Sequence, residues 1–167
     1  MNSLPKINMD DNETGCCPRF HPDEWNEKII EFDNLLFAKA QSKSLMHIPL
    51  NFGSVMKHTM EAIAESDAEV NDQYLILSRD LSSWKGEHLF LVSKEVKGME
   101  MTHLSGRFAS KVFEGEFKEQ AKWMGEMETY VKKIGETGKE IYAFYTTCPK
   151  CATHYGKNYV VIMMKLA

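Results

Sequence analysis

The cysteines are the residues whose type and spacing speak most directly to chemistry. Cys148 and Cys151 form a C-x-x-C pair, Cys16 and Cys17 are adjacent near the start, and His154 follows the second pair. Two cysteine pairs and a histidine could ligate a tetrahedral zinc ion, although a lone C-x-x-C is only half a site. A redox pair is a second reading, but its usual context, a strand running into a helix after the first cysteine, is not evident around Pro149. The expectation taken forward is structural thiols in a tight turn, with no metal site and no cofactor. His21, His47, His58, His88 and His103 show no ligand spacing and read as ordinary polar residues.

Large rings are the other chemically suggestive group. Trp84 falls in the segment Ser82-Ser83-Trp84-Lys85-Gly86, where a large ring either covers a ligand or packs on the N-terminal arm. Trp123 is spaced at helical intervals from Met127 and Tyr130, which fits a pocket wall or plain core packing. In "EIYAFY", Tyr142 and Phe144 face one side of a strand while Ile141, Ala143 and Tyr145 face the other. The small Ala143 beside Tyr145 would leave room for a ligand. Phe52 and Tyr155 are further candidates. Eleven methionines suit either an adaptable binding surface or a pliable core.

Positioning these groups requires regular elements, and the pattern supplies them. Residues 1–33 carry prolines at 5, 18 and 22 and read as an irregular arm anchored by Phe20 and Trp25. Residues 35–48 read as a strand, and a helix opening at Asn51 or Gly53-Ser54 runs to about Ser66 with Val55, Met56, Met60 and Ile63 on one face. "QYLILS" (73–78) and "HLFLVSKEV" (88–96) are β-rich runs. The order then repeats: a strand over 101–114, a helix over 117–134, and strands over 140–147 and 158–166. "GEHLFLVSKEV" (86–96) overlays "GKNYVVIMMKL" (156–166), a spacing too long for solenoid repeats. The fold class expected is α+β, with duplicated βαββ units (about 34–98 and 99–167) related by a pseudo-twofold. The antiparallel sheet carries helices on one face, and a central ligand pocket lies along the seam. Residues 34–167 then form one domain.

Composition narrows the function classes. The 167 residues are 43% hydrophobic and 26% charged, enough for a core without disulfides. A net charge of −4 and no basic run beyond Lys132-Lys133 argue against direct nucleic-acid binding. No basic start with an apolar run marks a signal peptide, and no stretch approaches the about 20 apolar residues of a membrane helix. A cytoplasmic protein without membrane contact is expected, which favours thiols over disulfides.

Several phrases resemble a known family. The doubled βαββ order and "SGRFASKVFEGEFKE" (105–119) resemble the GyrI-like small-molecule-binding superfamily. "GCCPRFHPDEW", "LSRDLSSWKGEH" and "YTTCPKCATHYGKNYV" are similar to its subfamily of cyclopropanoid cyclopropyl hydrolases. The resemblance spans roughly 35–167 and includes no helix-turn-helix. It implies an enzyme that opens the cyclopropane of planar, yatakemycin-type DNA alkylators with water inside an aromatic cage, protecting the cell from xenobiotics. The implied partners are planar aromatic or lipophilic small molecules.

Such chemistry needs a base to orient water, a donor to polarise a carbonyl, and ring faces to stabilise developing positive charge. Glu87, beside the Trp84 segment, is the expected base, because a carboxylate desolvated among rings has its pKa raised. Glu114 and Glu116 are alternates. Tyr145 is the expected donor, and Trp84, Trp123, Phe52, Ala143, Tyr155 and Met127 the expected lining. One departure stands out: GyrI-like domains often carry an acid two residues before the strand tyrosine, where this chain has Ala143. The competing readings are a non-catalytic module that sequesters lipophilic drugs and a protein-binding topoisomerase inhibitor.

Overall fold

A computed structural model describes residues 2–7, 10–15, 17–46 and 48–167, with backbone alone for 48, 49 and 149; Cys16 and His47 lie outside the described residues. The elements in chain order are β1 (Asn2–Ser3), β2 (Lys28–Leu45), β3 (Ile48–Pro49), α1 (Phe52–Glu65), β4 (Ile76–Asp80), β5 (Lys85–Leu91), β6 (Glu100–Glu114), α2 (Gln120–Lys133), β7 (Gly138–Tyr145), α3 (Pro149–Tyr155) and β8 (Tyr159–Leu166). Short 3₁₀ turns occupy Pro22–Glu24 and Phe117–Glu119. This is an α+β chain. Among the described residues no helix is long and apolar enough to cross a membrane.

The chain divides into two compact units, Asp33–Ser105 and Met1–Phe32 with Gly106–Ala167. The division differs from the halves expected above. Residues 99–105 belong to the first of these units, and residues 1–32 belong with the C-terminal one. The reason is strand length: β2 starts at Lys28, inside the expected arm, and both β2 and β6 run through a unit boundary. Duplication and a pseudo-twofold axis stand as readings of the sequence alone.

In the unit Asp33–Ser105, β5 is the central strand of an antiparallel trio. Phe37 to Lys43 of β2 pair with Leu91 to Lys85, and Ile76 to Asp80 of β4 pair with Phe90 to Gly86. Residues opposite one another share a face. One face therefore presents Ala38, Ile76 and Phe90, which pack with Ile63 of α1 and with Val92 and Val96. The helix forms because Met56, Ile63 and the buried Thr59 recur at helical spacing.

In the other unit, β8 is central. Phe108 to Glu114 pair with Lys165 to Tyr159, and β7 pairs with β8 from Gly138 to Tyr145. Ala109, Phe113, Ala143, Val160, Ile162 and Met164 lie beneath Trp123, Met127 and Val131 of α2. The opposite face is covered by the N-terminal segment. Trp25 lies against Phe144 with ring centroids 5.3 Å apart, its carbonyl accepts the Ser110 hydroxyl, and Phe32 stacks on Phe108 at 4.1 Å. Phe20 sits 6.2 Å from Trp25 and 5.6 Å from Tyr159.

One element escaped the sequence reading. The expected tight turn at Pro149 is the first residue of a two-turn helix, α3. Proline is pre-set for that position, and Gly156 takes the left-handed conformation (φ +77°) that ends the helix. Seven residues are too few for an apolar stripe to reveal.

Because Trp25 is 4% exposed and closes one face of its sheet, Trp25→Ala is expected to cost about 3–5 kcal/mol. Urea unfolding followed by circular dichroism measures the loss.

Candidate functional site

The stretch Gly86-Glu87-His88 of β5 holds the densest buried polar chemistry. Alternation sends Glu87 to one face of its sheet and Gly86 and His88 to the other. His88 is buried between two serines from the flanking strands. The Ser42 hydroxyl lies 2.8 Å from its Nε2 and the Ser78 hydroxyl 2.8 Å from its Nδ1. Both hydroxyls are themselves buried, and the Phe52 ring meets the imidazole edge-on at 5.0 Å. A neutral imidazole donates from one nitrogen and accepts at the other, so one serine gives its proton to the ring and the other takes the ring's. The arrangement is a hydroxyl–imidazole–hydroxyl relay. Ser42 fits because it faces Gly86, where a Cβ would come within 2.6 Å of its Oγ.

Burial pushes the His88 pKa down to about 4, against the smaller opposing fields of Asp80 and Glu87. The imidazole is thus neutral at physiological pH and able to accept a proton. The sequence reading took His88 for an ordinary polar residue. Its alternation with Phe90 on an apolar strand was the available signal, but the two serines could be found only from the register.

Glu87 is 4% exposed, and cations surround its carboxylate. Arg79 Nε donates to Oε2 at 2.7 Å and Lys39 Nζ lies 3.5 Å from Oε1. Lys39 also lies 3.7 Å from Glu100. The expected burial is present, but with ion-pair partners close by in place of a purely aromatic surround. Lys39 further lines an open groove of about 370 Å³ with Ala40, Val55, His58, Met99 and Glu100. Glu87 therefore stands one ion pair behind a groove. Trp84, on the β4–β5 turn, is 58% exposed.

The remaining predicted residues fall in the other unit. Trp123, Met127 and Ala143 come together in the core under α2, with Tyr145 packed at its margin. Trp123 stacks on Phe113 at 5.7 Å. The Tyr145 hydroxyl donates to Gln120 at 3.3 Å, and its ring lies 5.7 Å from that of the exposed Phe117. Tyr155 stands apart from them. It lines a cavity of about 220 Å³ with Arg19, Phe20, Thr147, Lys157 and Tyr159, and the Arg19 guanidinium lies 4.5 Å over its ring. Glu114 and Glu116 are exposed beside Lys157 and Lys118.

Solved structures share this architecture. An uncharacterised conserved protein from Listeria innocua superposes with a TM-score of 0.62 at 12% identity, over 84% of this chain and 91% of its own. A hydrolase from Listeria innocua gives 0.60 at 12% identity, over 86% and 93%. SAV2435 bound to tetraphenylphosphonium gives 0.52 at 11%, over 84% and 93%. At these identities the likeness is one of fold. No curated protein matches the sequence. The family described as "Bacterial hydrolase" matches residues 7–166, and the chain belongs to it.

Two predictions follow the His88 geometry. Its folded pKa lies below the unfolded value of 6.5, so the unfolded chain binds the extra proton in between. Stability from this group is complete above about pH 6.5 and is lost as pH falls toward 4, by roughly 3 kcal/mol in all. His88→Gln should flatten that part of the stability–pH curve, measured by denaturant unfolding at stepped pH. Separately, Gly86→Ala forces the Ser42 hydroxyl from its position and should cost about 1–3 kcal/mol by the same assay.

Proposed function

We propose that the protein is a small-molecule hydrolase acting on planar, lipophilic electrophiles, with the cyclopropane of yatakemycin-type alkylators as the bond opened by water. The observation that carries the hydrolase reading is membership of the bacterial hydrolase family across nearly the whole chain. The finer substrate class rests on the resemblance of "GCCPRFHPDEW", "LSRDLSSWKGEH" and "YTTCPKCATHYGKNYV" to the GyrI-like cyclopropyl hydrolases.

In this reading Glu87 accepts a hydrogen bond from the attacking water. Arg79 and Lys39 hold the carboxylate in place, which makes it a well-oriented acceptor. Tyr145 is proposed as the donor to a developing phenolate oxygen. The ring-opening adds the water oxygen to the cyclopropyl carbon, and the electron pair of the broken carbon–carbon bond passes into the dienone. The new hydroxyl keeps one water proton and the other passes by way of the acceptor to the phenolate oxygen, so the product is heavier by one water. Trp84, Trp123, Phe52, Tyr155, Met127 and Ala143 are proposed as lining, each to be tested alone.

The second reading is a non-catalytic module that holds lipophilic drugs. It is favoured by the structural neighbour solved with tetraphenylphosphonium, an aromatic cation carried on the same fold.

Incubation with a cyclopropanoid alkylator separates the two. Mass spectrometry is expected to show the hydrated product, formed at least about 10²-fold more slowly by Glu87→Gln. Equal rates for wild type and a folded Glu87→Gln would remove Glu87 from the mechanism. Saturable quenching of tryptophan fluorescence with unchanged ligand recovered would favour the binding module.

A further inference from the structure

Cys17 and the distant Cys148–Cys151 pair converge in the unit that contains the N-terminal segment. Cys17 Sγ lies 3.7 Å from Cys148 Sγ, Cys148 Sγ lies 3.3 Å from Cys151 Sγ, and all three sulfurs fall within 4.8 Å of one another. Cys151 is buried and the other two are half-buried. We propose that Cys17, Cys148 and Cys151 bind a zinc ion, which ties the N-terminal loop to the β7–α3 turn.

The spacing favours a metal over the alternatives. A tetrahedral ion with Zn–S distances of about 2.3 Å holds its sulfurs roughly 3.8 Å apart, close to the Cys17–Cys148 separation. A disulfide would bring two sulfurs to about 2.05 Å and leave the third without a role. A redox pair would need Cys148 and Cys151 alone, and although α3 does supply the helix after the first cysteine that the sequence did not show, it gives no account of Cys17 in contact with both. Three sulfurs within 4.8 Å of one another can, in contrast, form one face of a coordination tetrahedron that a fourth ligand would complete.

The surroundings hold the trio in place. The Cys17 amide donates to Thr14 Oγ1 at 3.1 Å, and Thr14 Oγ1 lies 3.3 Å from Cys151 Sγ. The Thr14 hydroxyl is in donating reach of the Cys17 carbonyl at 3.3 Å and of Asn12 Oδ1 at 3.4 Å, and a Cys151 thiolate would compete for the same proton. The Tyr155 hydroxyl donates to the Cys17 carbonyl at 2.6 Å, fixing the loop from the α3 side. Such outer contacts orient ligands and tune their basicity. Cys148 lies immediately before α3 and Cys151 within it, so the helix sets their relative directions. On binding, each thiol loses its proton to solvent and the ion takes three thiolate bonds. The site is independent of the hydrolase reading, since none of the groups proposed for water attack belongs to it.

The test uses the full chain, stripped with a chelator under reducing conditions and titrated first with cobalt(II), then with zinc. Expected are thiolate-to-cobalt charge-transfer bands that one equivalent of zinc abolishes, and about one zinc per chain by elemental analysis of protein grown with the metal. Cys17→Ser, shown to fold by circular dichroism, should lose more than about 100-fold in zinc affinity, beyond the 10–100-fold typical of outer-contact changes. Wild-type protein without charge-transfer bands would overturn the proposal, whatever the variant does. So would zinc affinity unchanged by Cys17→Ser, or a Cys148–Cys151 disulfide in protein isolated under the same reducing conditions.

Discussion

The pleat of β5 is the constraint on which the polar interior depends. A strand must send neighbouring residues to opposite faces, so Glu87 cannot share the surroundings of Gly86 and His88. The register with β2 and β4 then decides who meets whom. Gln41 and Arg79 stand opposite Glu87, Ala40 and Ser78 stand opposite His88, and Ser42 faces the gap left by Gly86. A slip of one residue would place the imidazole among cations and the carboxylate beneath α1. Apolar packing of Ala38, Ile76 and Phe90 under that helix prevents the slip. Core packing on one part of the trio thereby fixes polar partners on the other.

The two buried groups meet the cost of desolvation in opposite ways. Glu87 has Arg79 and Lys39 within ion-pair distance. An unpaired carboxylate at that depth would cost several kcal/mol. His88 instead gives up its charge: its two partners are hydroxyls, which satisfy a neutral ring and offer little to a cation. The result is an ion-paired carboxylate and a neutral imidazole on adjacent residues. Hydrolytic sites draw on both kinds of group, but neither alone defines a reaction.

The sequence made most of the fold legible because its signals are local. Helical spacing located α1 and α2 to within a few residues, and β-rich runs located β4 to β8. The helix it missed, α3, has seven residues, too few for periodicity. The site was less legible. Glu87 stood out beside Trp84, yet Arg79 and Lys39 become its partners only through strand pairing. Cys17 and Cys148 meet through the fold of the N-terminal segment, which no spacing rule encodes.

Ring exposure decides how an aromatic cage could be realised. Trp123 is nearly sealed between Phe113 and the strands under α2, and a Trp side chain buries roughly 200 Å². Turning it toward a ligand would forfeit about 5 kcal/mol of apolar burial before any contact was gained. Met127 and Ala143 are fully buried beside it. Trp84 and Phe117 are different, because more than half of each is already in water. A planar ligand laid on either removes apolar surface from solvent without opening a core. Tyr145 adds a hydroxyl next to Phe117, and Glu87 follows Trp84 by three residues on the same hairpin. The rings that a flat ligand could meet at low cost are thus Trp84 and Phe117, each within its own unit, whereas a lining role for Trp123 would have to meet the cost of uncovering the core beneath α2.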